Sequence, residues 1–179
     1  MEIQNKTQLK AALRQSFGAV VYAINELSED TFLAPRVQNA WSPGEILGHL
    51  ILSTKPVNKA MSMPKLMLKA TFGTNNREER TFSQTKIKYY EVLAGGIKAP
   101  SNFQFEGVAK KGKENLISSF TKELDKLLNH IDKWEEKDLS KYILPHPAIG
   151  KLTIREMLYS THFHTEHHLK QIEEVLVTK

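Results

Sequence analysis

Two four-residue segments constrain what this 179-residue chain can fold into more than any other feature. In Ser42-Pro43-Gly44-Glu45 and in Thr153-Ile154-Arg155-Glu156, a hydroxyl residue stands three positions before a glutamate. At that spacing the hydroxyl accepts from the glutamate's backbone N–H while the carboxylate reaches back to the cap, which starts a helix. Pro43 takes the first helical position, where its missing N–H is not needed. Trp41 with Ile46, and Leu152 with Met157, are spaced to staple the entering chain onto the first turns. Behind the first box come Ile46, Leu47, His49, Leu50 and Ile51, heading for Pro56, which should kink or end the helix. Behind the second, a helical pattern continues through Val175.

Two further stripes repeat at three- and four-residue steps. Leu9, Leu13, Phe17, Val20, Ile24 and Leu27 form one, with Asn5 and Gln8 placed to cap its start and Ser28-Glu29-Asp30 to end it. Leu116, Ile117, Phe120, Leu124, Leu127, Leu128, Ile131 and Trp134 form the other, over about five turns. Between residues 60 and 110 the pattern is broken by Pro64, Gly73, Gly95-Gly96 and Pro100, and this stretch reads as a long crossover with one or two helical pieces. No strand-like alternation runs longer than a few residues. These features predict an all-α chain, one domain over residues 1–179, folded as an antiparallel four-helix bundle with a long crossover.

The chain has no cysteine and seven histidines. Disulfides, thiolate zinc sites, iron–sulfur clusters and a cysteine nucleophile are thereby excluded. The net charge of +5 is spread among acids, and its densest point, Lys110-Lys111-Gly112-Lys113, reads as a solvated loop without a nucleic-acid motif. Nucleic acid is therefore not an expected partner. The first residues lack the apolar core of a signal peptide, and the longest apolar run, residues 19–24, is far too short to span a membrane. A soluble, cytoplasmic protein is the expectation.

Helical phase sorts the histidines. At about 100° per residue and with Ile154 at zero, His168 falls at about −40° and His164 at about −80°, on or beside the apolar stripe. His162 lies on the opposite flank and His167 turns towards water. His164 and His168 are an i, i+4 pair, stacked within reach of one ion. A pair of hydrogen-bonded packing histidines has the same spacing. His49 borders the apolar face of its own helix, where it serves either as a satisfied core residue or as a third ligand from a facing helix. Three histidines would leave positions open for water or substrate, as in catalytic sites. His130 lies outside its helix's stripe. His146, between two prolines, is a turn residue that could border the mouth of a site, and Gln171 sits one turn beyond His168 on the side of His164. No general base is evident: Glu166 and Glu156 face away, and Glu45 is needed at its cap.

Three blocks resemble the DinB/YfiT-like superfamily of metal-binding four-helix bundles. They are the run from Trp41 to Leu50, the run from His146 through Gly150 to Thr153, and the run from His164 through His168 to Gln171-Ile172. The family's histidine triad carries over onto His49, His164 and His168. The resemblance implies a divalent metal ion, nickel or zinc, and a homodimer. It further implies a metal-dependent hydrolase, or a transferase of low-molecular-weight thiols, acting on a small-molecule substrate, a thiol in the second case. The alternative is a non-catalytic binding or stress-response bundle whose ion ties two helices together.

Overall fold

In the computed structural model, which describes residues 2–35, 37–38 and 40–177, the four apolar stripes become four long helices. In chain order the elements are α1 (Lys6–Asn25), α2 (Glu29–Leu33), α3 (Pro43–Met61), α4 (Lys65–Phe72), α5 (Phe82–Ala94), α6 (Val108–Lys111), α7 (Lys113–Lys133) and α8 (Glu136–Lys141). A hairpin of β1 (Ile143–His146) and β2 (Gly150–Thr153) follows, then α9 (Ile154–Val177). The bundle is built from α1, α3, α7 and α9: α3 packs on α7, α1 on α9, and each also meets the other pair. Phe17 of α1 and Phe120 of α7 stack at its centre, ring centroids 4.4 Å apart, among fully buried Leu47, Leu127, Leu158 and Phe163.

Both capping boxes form. Ser42 Oγ accepts from Glu45 N–H and Glu45 Oε2 accepts from Ser42 N–H (2.7 Å), and Thr153 and Glu156 exchange the corresponding pair. Asn5 caps α1 through Gln8 N–H. Lys113, from the densest basic point, also has a structural task, since its ammonium donates to Leu27 O at 2.7 Å just past the end of α1.

Three expectations need correction. Pro56 does not end α3, which continues to Met61. The turns before it are laced by Ser53 and Thr54 hydroxyls donating to His49 O and Leu50 O, and Val57, Asn58, Ala60 and Met61 beyond it are buried, so packing outweighs the lost backbone bond. Secondly, the stretch from 60 to 110 holds α4 and the 13-residue α5, with the shorter α6 and a 3₁₀ turn at Ser101–Phe103. α5 has a capping box of its own, Thr81 with Gln84, and lays Phe82 and Tyr89 against Phe163 of α9. Thirdly, the chain around Pro145 and Pro147 pairs as the β1–β2 hairpin, with Ile143 opposite Thr153 and His146 opposite Gly150.

The N-terminal end of α9 is held by charge. Glu156, with no exposed surface, accepts from both amino groups of Arg77 and from the backbone N–H groups of Arg80 (2.7 Å) and Thr153 (3.0 Å). Burial pushes its pKa up, and these donors outweigh burial, leaving it below the usual carboxylate range. The α4–α5 connection is thereby pinned to the hairpin and to α9. Among the described residues no helix is long and apolar enough to cross a membrane.

Candidate metal centre

The phase argument placed His49 on α3 and His164 and His168 on α9, and the packing of α3 against α9 brings their rings together. His164 Nε2 lies 2.9 Å from His49 Nε2 and 3.1 Å from His168 Nε2, and the three nitrogens all fall within 4.8 Å of one another. His49 and His168 are buried, while His164 keeps part of its surface open.

The outer ring nitrogens decide what the inner ones present. His49 Nδ1–H donates to Phe103 O at 2.7 Å, and His168 Nδ1–H donates to Gln171 Oε1 at 2.7 Å. A neutral imidazole has one N–H, so Nε2 of both rings carries a lone pair. His164 can donate one proton from Nε2, to one of the two. The cluster therefore holds at least one more lone pair than its own hydrogens can satisfy. A cation resolves that mismatch, and with metal–nitrogen bonds of about 2.0–2.1 Å two ligands of one ion sit roughly 3 Å apart. The donor set and the two spacings at His164 fit a divalent ion such as nickel or zinc, without thiolate.

Electrostatics agree. Burial lowers the pKa of His168 to about 3, helped by His49 and His167 and opposed by Gln171. Burial likewise takes His164 well below the ordinary histidine value, with His168, His49, His146 and His167 adding to the effect. His49 is lowered by burial against the opposing bond to Phe103. His164 and His168 are thus neutral and available as ligands well below pH 7, and His49 is shifted in the same direction.

Around them stand residues whose part was not read from the sequence. Trp41, taken there for a staple, tilts against His49 at 4.8 Å and lies nearly parallel to His168 at 6.1 Å. The carbonyl of Phe103 comes from the crossover. Gln171 takes the supporting position that its phase allowed. His146 Nδ1 accepts from Ala148 and Ile149 N–H (3.1 and 3.2 Å), so its proton sits on Nε2 and is donated to Ser160 Oγ at 3.1 Å. Ser160 is one turn before His164, and the histidine borders the site as a donor.

His167 is half-buried against His168 and Gln171 rather than turned fully to water. His162 packs against Phe82 on the opposite flank, and His130 is not among the converging three. Two open clefts, of about 430 and 390 Å³, lie around Glu79 and Arg80, away from the histidines.

The depressed histidines predict an acid-labile metal-free protein. Above the unfolded value of 6.5 neither state binds these protons. Below it the unfolded chain takes up protons that the folded chain refuses, so stability falls with pH, through the value of about 4 for His146 and on towards about 3 for His168. Melting temperature in excess chelator should be flat above pH 7 and decline from pH 6.5 towards 4. A flat profile across that window would contradict the buried neutral rings.

The DinB superfamily model matches residues 12–172, a span that includes all three histidines. Among solved structures, the crystal structure of TT2238, a four-helix bundle protein, aligns with a TM-score of 0.61 at 16% sequence identity, covering 95% of this chain and 99% of that one. At that identity the likeness is one of fold. No curated protein matches the chain.

Proposed function

The chain belongs to the DinB superfamily, and from that premise we propose that it holds one divalent ion, nickel or zinc, on His49, His164 and His168 and uses it in hydrolysis or in transfer of a low-molecular-weight thiol. The observation that carries this reading is the convergence of three Nε2 atoms while the Nδ1–H groups of His49 and His168 are committed to Phe103 O and Gln171 Oε1. When bound, the ion supplies Lewis acidity and lowers the pKa of a water or thiol beside it.

The chain's own residues provide the rest. His49 and His168 are fixed in ring orientation and tautomer by their outer bonds, so little reorganisation is needed on loading. His164 is the member of the three that keeps part of its surface exposed, which favours a catalytic ion over one that only ties α3 to α9. Trp41 offers an apolar wall against His49 and His168. Histidines surround His164 and no carboxylate is among the groups that perturb it.

Metal-loaded and chelator-treated protein, assayed in parallel on ester and amide substrates and on thiol transfer to an electrophile, tests the chemistry. Turnover in one class that disappears with chelator is expected. Absence of turnover in both, with the ion demonstrably bound, would favour the non-catalytic bundle.

Gln171→Leu should weaken zinc affinity by about 10–100-fold, the usual effect of losing an outer partner of a ligating histidine. Competition against a chromophoric chelator measures it, and an unchanged affinity would mean that Gln171 does not orient His168.

A further inference from the structure

The connection from α5 to α6, residues 95–107, runs over the surface beside the three histidines. Between residues 95 and 107 only Ala99, Phe103 and Phe105 are partly covered. Its own hydrogen bonds are local, Gln104 Nε2–H to Ala99 O and the two backbone bonds of the 3₁₀ turn. It meets α3 at two consecutive residues. Phe103 O accepts from His49 Nδ1–H, and the Phe105 ring lies over Gly48, where a Cβ would fall 2.1 Å from Phe105 Cγ. Gly48 is thus the place where the crossover is let down onto the helix, next to a proposed ligand.

We propose that residues 95–107 form a latch whose seating on Gly48 is energetically coupled to occupancy of the three-histidine site, the coupling passing through His49. The argument rests on the metal reading above. A His49 ring whose Nδ1–H is held by Phe103 O presents its Nε2 lone pair inward, in the tautomer that ligation requires. A cation that takes this lone pair draws electron density from the ring and makes Nδ1–H a stronger donor to Phe103 O. Seating favours loading and loading favours seating, by the same factor in each direction. Exposure and local bonding make the latch the part of the site's surroundings that is cheapest to unseat.

Hydrogen exchange over residues 95–107, in metal-free and zinc-loaded protein, tests the coupling together with zinc affinities of the wild type, Gly48→Ala and Phe105→Ala. Gly48→Ala expels the Phe105 ring while keeping every ligand and raising helix propensity. Phe105→Ala loosens the seat without adding a clash, and its ring lies at the margin of the core. Zinc should slow exchange in the latch by at least about fivefold, and both variants should bind zinc about 10–100-fold more weakly and lose that protection. Wild-type protein that binds zinc with no change in latch exchange, or variants that bind it as tightly as the wild type, would overturn the latch alone. Wild-type protein that binds neither zinc nor nickel would overturn the metal reading and the latch with it.

Discussion

Replacing His164 by alanine removes metal binding and leaves the metal-free protein about as stable as the wild type. The ring is the shared neighbour in both short contacts, 2.9 Å to His49 and 3.1 Å to His168. Without it, two nitrogens on different helices remain, too few to hold an ion against water. In most settings deleting a buried hydrogen-bonding side chain costs roughly 1–3 kcal/mol. Here His164 faces two lone pairs with at most one proton, so its removal relieves a repulsion as well as losing a bond. The metal-free melting temperature should therefore stay within about 3 °C of the wild type. The effect of metal is different. Free zinc at about 100 times its Kd stabilises a protein by roughly 2.7 kcal/mol, a rise of roughly 5–11 °C for a chain of this size. The variant should show none of it. A His164→Ala protein that melts lower without metal and keeps the rise with it would make the three histidines a hydrogen-bonded packing cluster.

Glu156→Ala should be the most destabilising single change, by roughly 3–5 kcal/mol and so by roughly 6–20 °C in melting temperature. The carboxylate is fully buried and collects five donors from Arg77, Arg80 and Thr153, the Arg80 guanidinium being the most distant at 3.5 Å. Truncation strands the Arg77 guanidinium and a buried N–H, and it also dismantles the cap of α9. Replacing Arg77 by methionine in the same chain should recover part of the loss, because only the more distant partner, Arg80 at 3.5 Å, is then left without its carboxylate. Metal stoichiometry below the transition should not change, since Glu156 lies about 12 Å from His164 along α9. Thermal unfolding of the single and double variants measures this. A loss under about 1 kcal/mol would mean that the cluster is solvent-screened like an ordinary surface pair.

Helix starts were legible because capping boxes are local chemistry. Ser42 with Glu45, and Thr153 with Glu156, announce α3 and α9 in four residues each. Helical phase then picked His49, His164 and His168 out of seven histidines, because a side chain's face on a long helix follows from its number alone. What escaped has physical causes. α5 buries only Phe82, Thr85 and Tyr89, too few apolar positions to print a stripe, and the capping box of Thr81 with Gln84 at its start went unread. The hairpin strands are four residues long, below the reach of an alternation argument. Pro56 was outweighed by the burial beyond it. The acceptor for His49 is a backbone carbonyl, which every residue carries and no sequence marks. Trp41 could be placed near the helix start but not on the histidines, because its direction depends on how α3 meets α9. Glu156 was visible as a cap, whereas its pairing with Arg77 spans 79 residues.

Titration of chelator-stripped wild-type protein with zinc and with nickel, read by calorimetry, tests the central claim most directly. The account predicts saturation at one ion per chain at pH 7, with less loss of affinity at pH 6 than three free imidazoles would show because burial lowers all three rings, and no saturable binding in His49→Ala. Wild-type protein that shows no saturable binding of either ion, or a His49→Ala variant that binds as well as the wild type, would contradict it.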